Sequence, residues 1–180
     1  MIRTAIPFAL LCLAPLSLWA ESGTARFDAS RVSVTQGIFC EIVSAGTMPA
    51  PDTAAGLVEL YDRTPEFQWL GTRVPAVPGL SFGVRTEVLG GAFLPGVVIS
   101  LTHPALRGTD ITSQQYTTVI GGNGPSINAY TFDLPKELVT GTWTFSATQN
   151  GREIYTASFE VVPPAQEPQI ANSCGAAPMS

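Results

Sequence analysis

Charge is scarce in this chain. Asp, Glu, Lys and Arg make up 13% of its 180 residues and sum to a net charge of −5, where about 25% is usual. Without a basic stripe the protein cannot neutralise a run of phosphates, which argues against nucleic acid or an anionic membrane surface as partners. Histidine occurs once, at His103, and there is no CxxC pair, no HExxH and no DxDxDG loop. The usual ligand sets for zinc, copper and calcium are therefore missing, and no cofactor is expected. A helical hydrophobic period is also lacking, except for a single turn at 135–139. No apolar run reaches the roughly 20 unbroken residues of a membrane helix.

What is present begins with a leader. MIRTAIPFALLCLAPLSLWA, residues 1–20, combines Arg3, an apolar stretch interrupted by Pro7 and Pro15, and Ala20 at a position suited to cleavage. It reads as a signal peptide, which sends the mature chain to the periplasm or outside the cell. Cleavage removes Cys12 and leaves Cys40 and Cys174 in a compartment that permits disulfides. A bridge between them would tie the C-terminal tail to an early strand; the alternative is a buried free Cys40 with Cys174 in a linker-like tail. The expected boundaries are a signal peptide over 1–20, a β domain over 24–162 and a Pro-rich flexible tail over 163–180.

Within the domain, apolar residues recur at every second position, the period of a strand. Val32 and Val34, then Ile38, Cys40 and Ile42, alternate with polar neighbours, and Gly37 suggests a bulge between the two sets. Leu80, Phe82, Val84, Thr86 and Val88 alternate until Gly90-Gly91. Shorter candidates cover 57–61 and 67–74, and further strands cover 97–102, 114–120 and 128–133, each stopped by Gly or Pro.

The last hairpin poses a parity problem. Asn150-Gly151 is a strong two-residue turn signal, but a simple two-residue turn there puts Trp143 and Phe145 on one face and Tyr155, Ala157 and Phe159 on the other. A three-residue loop, Gln149-Asn150-Gly151, brings the two apolar sets together, with Trp143 opposite Ala157 and Phe145 opposite Tyr155. Burying three aromatic side chains outweighs the difference between turn types, so the longer loop is expected.

These features indicate an all-β fold, an immunoglobulin-like antiparallel β-sandwich of about eight strands that ends in a hairpin. GTRVPAVPGLSFGVR, ELVTGTWTF and SFEVV resemble the bacterial exported family called domain of unknown function 3859, over roughly residues 30–162. The resemblance implies an exported β domain and carries over no catalytic or binding residue.

Candidate chemistry is thin. Gly79-Leu80-Ser81-Phe82-Gly83 fits a G-x-S-x-G nucleophile elbow, but Ser81 lies inside an alternating strand with no helix after it, and only Glu87 could join it to His103. Ser81 is expected on the solvent side, and His103 at a strand end on the sandwich rim, with an ordinary pKa if exposed. Met48 and Met179 do not complete a metal site. Asp52, Glu59, Asp62, Glu66 and Glu87 are expected to be a solvated face rather than a catalytic carboxylate pair, and the GGNG stretch at 121–124 a turn rather than a phosphate cradle. No catalytic, cofactor-binding or metal-binding residue is assigned; Cys40 and Cys174 are the candidate disulfide. The expected function is a non-catalytic interaction module of the cell envelope, touching a protein or glycan through the loops 44–56, 103–113 and 121–127. The alternative is an envelope enzyme or a carrier of a small ligand or metal.

Overall fold

Alternating side chains need two facing layers, and the chain supplies them. The computed structural model describes residues 19–22 and 25–174. Its strands are β1 (Trp19–Ser22), β2 (Ala25–Asp28), β3 (Val32–Cys40), β4 (Gly46–Pro49), β5 (Leu57–Leu60), β6 (Trp69–Leu70), β7 (Arg73–Pro75), β8 (Leu80–Val88), β9 (Phe93–Thr102), β10 (Ser113–Gly121), β11 (Ser126–Thr131), β12 (Gly141–Gln149) and β13 (Arg152–Val162). One short helix, α1 (Pro168–Cys174), follows. The leader expected over 1–20 lies outside the described residues apart from Trp19 and Ala20, which belong to β1.

The larger sheet runs β1-β2-β13-β12-β9-β10, with β7 added in parallel beside β13. The smaller runs β11-β8-β3-β6, and β4 pairs only with β5. Phe82, at the middle of β8, projects from the small sheet into the interior. Its ring centroid lies 5.2 to 6.0 Å from those of Phe159, Trp143 and Phe145 on the large sheet, a spacing suited to edge-to-face packing. Val32, Ile38, Leu80, Val84, Ile99 and Ile154 complete this interior, all nearly inaccessible to water.

The β12–β13 hairpin solves its parity problem differently from the expectation. Gln149 pairs with Arg152, so the loop is the two-residue Asn150-Gly151, with φ of 51° and 73° respectively. Two successive positive φ angles define a type I′ turn. A bulge then shifts the register between Ala147↔Tyr155 and Thr148↔Glu153. Beyond it, Trp143 faces Phe159 and Phe145 faces Ala157, so the apolar sets coincide after all. The extra residue sits in the second strand rather than in the turn.

Gly37 is likewise no bulge. The β3–β8 register runs unbroken from Val32↔Val88 to Cys40↔Leu80. A Cβ on Gly37 would collide with the ring of Phe67, and one on Gly83, its cross-strand partner, with the backbone carbonyl of Asn128. Both glycines permit close approach.

Residues 163–174, part of the tail expected to be flexible over 163–180, fold back on the domain. Pro164–Gln166 forms a 3₁₀ turn, α1 follows, and Cys174 is disulfide-bonded to Cys40 with a Cα separation of 5.0 Å. Ile170 packs on the core, while Arg73 bonds to Glu160, Gln166 and Glu167.

Two stability outcomes follow from this packing. Gly151→Ala should cost about 1 kcal/mol because Ala resists positive φ, and Gly83→Ala should cost more, since a backbone carbonyl cannot step aside; urea unfolding giving the reverse order would contradict the close approach. Cys174→Ala should lower stability by up to about 5 kcal/mol, the loop-closure value for a bridge this long, and reduction of the wild type should lower it equally.

Candidate functional site

A sandwich of open sheets leaves edges, and here two of them define a cleft. β10 ends the large sheet and β11 ends the small one. The β4–β5 hairpin and the residues around it roof the gap between them. The resulting cavity has a volume of about 140 Å³. Its apolar wall includes Ile99, Leu101 and Phe145; its polar wall includes Glu59, Tyr61, Gln114, Tyr130, Asp133 and Glu137. Ile127 and Ala129 also line it, so the cleft follows the free edge of β11. A second recess, about 380 Å³, lies under β4 and shares Tyr116 with the first, but Asp52 is its one charged residue.

The polar wall is built by a turn. Leu134-Pro135-Lys136-Glu137 closes a 3₁₀ turn in which buried Glu137 reaches back, its Oε2 accepting from the backbone N–H of Asp133 (2.9 Å) and Leu134 (3.0 Å). These two donors hold its carboxylate in place. Tyr61 Oη donates to Glu59 Oε2 at 3.2 Å, and burial followed by the charge of Glu59 pushes this phenol up to about 12. Asp133 stands at the cleft mouth, exposed as a residue. Partial burial of its carboxyl, then the nearby Glu137, Glu41 and Glu59, raise its pKa to about 6. Among the described residues no Lys, Arg or His lines the cavity. The three carboxyl groups do not converge: among the described residues no group of three or more His, Cys, Asp or Glu could hold a metal ion.

Gln114 connects the cleft to the core. Its Oε1 accepts from the backbone N–H of Ala54 in the roof (2.7 Å), and its Nε2 donates to His103 Nε2 (3.0 Å). His103 Nδ1 donates in turn to the carbonyl of Pro104 (2.8 Å), and the imidazole stacks on Trp143 with centroids 4.5 Å apart. This chain requires neutral His103 with its proton on Nδ1. Burial lowers its pKa from the ordinary 6.5, against smaller opposing effects of the Pro104 carbonyl and Glu137. Deeper in, Asn128 accepts from Tyr116 Oη (3.0 Å) and donates to Tyr155 Oη (3.1 Å).

Several expected placements change. Ser81 is buried, not on the solvent side, and its hydroxyl is 2.8 Å from that of Thr131. His103 is 6% exposed rather than at an open rim, and its ring partners are Pro104, Gln114 and Trp143, so Ser81 and His103 do not form a nucleophile–base pair. The acids do not share one face. Glu66 and Glu87 flank Arg85 as ion pairs, Asp52 belongs to the second recess, and only Glu59 enters the cleft. Met48 lines the second recess. The cleft residues that composition missed are Tyr61, Gln114, Tyr130, Asp133 and Glu137; the one local signal was the turn recognised at 135–139.

Two facing antiparallel sheets without closure make this an immunoglobulin-like β-sandwich. The chain belongs to the family described as a domain of unknown function, DUF3859, whose model matches residues 29–161. A crystal structure at 1.50 Å of an immunoglobulin-like protein from Pseudomonas aeruginosa is similar over 78% of this chain and all of its own, with a TM-score of 0.51 and 20% identity. That similarity concerns the fold alone. No curated protein matches the chain significantly.

The His103 network has a measurable sign. A histidine whose pKa is lowered by folding contributes stability above its ordinary 6.5 that is lost as pH falls through the folded value. His103→Phe keeps an aromatic ring against Trp143 but leaves Gln114 without its acceptor, at a cost of about 1–3 kcal/mol near neutral pH. That gap should narrow as pH falls from 7 toward 5 in thermal unfolding; a gap independent of pH would contradict the neutral ring.

Proposed function

We propose that this chain is an exported, non-catalytic binding domain whose site is the cleft between β10 and β11. The carrying observation is the cavity itself: polar groups from three separate segments, 59–61, 114 and 130–137, line one partly open cleft that also has an apolar wall. Such a combination is the usual form of a small-ligand site. Its volume is close to that of an engineered cavity of about 150 Å³ that takes up benzene, so a guest built on a single ring is the right size, with the open mouth left for a polar substituent. The non-catalytic reading draws support from Ser81 and His103, both committed to structural partners. Export rests on the leader and agrees with the Cys40–Cys174 bridge. The proposed contact thus moves from the rim loops and a protein or glycan to the sandwich edge and a small molecule.

Titrating isotope-labelled protein with a set of neutral, cationic and anionic aromatic fragments tests this reading. Amide shifts clustering at Glu59, Tyr61, Gln114, Ala129 and Thr131 are the expected result. Shifts confined to loops 103–113 and 121–127, or none, would overturn it.

A further inference from the structure

We infer that the cleft selects a small organic cation, an ammonium group carried on a compact apolar body; the inference rests on the cleft being the binding site. The charge of its wall is the first argument. Glu59, Asp133 and Glu137 line the cavity, and among the described residues no Lys, Arg or His does. An anionic guest would meet uncompensated like charge, and a neutral one would leave the carboxylates without a counter-charge in a partly dewatered space. An ammonium exchanges its water for charge-assisted hydrogen bonds.

The second argument is which carboxylates are available. Glu137 already accepts two backbone N–H groups. Glu59 accepts the Tyr61 hydroxyl at 3.2 Å, and among the described residues the Asp133 carboxylate accepts no hydrogen bond. Asp133 at the mouth and Glu59 inside are therefore placed to receive a donor. Ile99, Leu101 and Phe145 face a guest's hydrocarbon part, and the rings of Tyr61 and Tyr130 add the attraction of aromatic groups for cations.

The spread of the carboxyl groups gives the third. Among the described residues they line different parts of the wall instead of converging on a point, which suits a single ammonium hydrogen-bonded to one carboxylate rather than a metal ion held by several. The titratable groups around the guest are Glu59, Tyr61, Tyr116, Tyr130, Asp133 and Glu137 in the wall, Glu41 beside Asp133, and His103 behind Gln114. Asp133 changes charge nearest neutrality, so cation binding should weaken as pH falls through about 6.

Benzylamine, benzyl alcohol and benzoate share one shape and differ in charge, and calorimetry with the three separates the readings. Benzylamine should bind at least about tenfold more tightly than benzyl alcohol, as expected for a charge-assisted hydrogen bond, and benzoate should not bind. Asp133→Asn should remove most of that preference. Equal affinity for amine and alcohol, a preference for benzoate, or an unaltered preference in Asp133→Asn would overturn the cation assignment while leaving the cleft as a site. Failure of all three to bind, or to shift the amides lining the cleft, would overturn both.

Discussion

The two sheets are held in register by one side chain. Phe82 stands at the centre of the small sheet, and its ring meets Trp143, Phe145 and Phe159 from the large sheet as well as Tyr130 and Phe132 beside it. A ring so placed fixes the separation and offset of both layers, because edge-to-face contacts are specific in distance and angle. Hairpin geometry yields to this demand. With a two-residue turn at Asn150-Gly151, only a bulge places Trp143 and Phe159 together on the inside. Turn chemistry and core packing are both satisfied, and the cost is one unpaired residue.

The same aromatic cluster explains why the sandwich opens where it does. Tyr130 and Phe145 belong to it and also line the cleft, so the packing that closes the centre ends at the cavity wall. Beyond that wall, β10 and β11 do not pair with each other. Unpaired strand edges invite association. Here the β4–β5 hairpin covers them, and Thr64 Oγ1 bonds to the carbonyl of Pro125 at 2.6 Å beside β11. The cleft is the space left between a covered edge and its cover.

Alternation made much of this architecture legible in the sequence. Leu80 to Val88 is a strand from end to end, and both arms of the last hairpin were recognisable from Trp143, Phe145, Phe159 and Val161. Residues whose environment is made by distant segments were not legible. His103 looked like a rim residue because Pro104 follows it, yet Trp143, far along the chain, and Gln114, on the next strand, enclose it. Ser81 looked outward by parity, but 61–70 passes across that face and Phe67 covers Gly37. β4 offered only Gly-Thr-Met-Pro, with no alternation, and β2 only one buried residue. The cleft was hidden for the same reason: its acids lie at 59, 133 and 137, and only the folded sheets bring 59 to the others.

Roof and core are mechanically one unit. Ala54 in the roof is bonded to Gln114, Gln114 to His103, and His103 is stacked on Trp143, which touches Phe82. A buried amide in this position has little freedom, because rotating it would face its NH₂ toward the Ala54 N–H and its carbonyl toward the lone pair of His103. Gln114, together with the Gln115 N–H that donates to the Asp52 carbonyl (3.1 Å), ties the roof to β10. A cavity lined by like charges would otherwise tend to open, since the carboxylates repel one another and each gains from water. The neutral imidazole, as the acceptor that orients Gln114, opposes that tendency from outside the cleft.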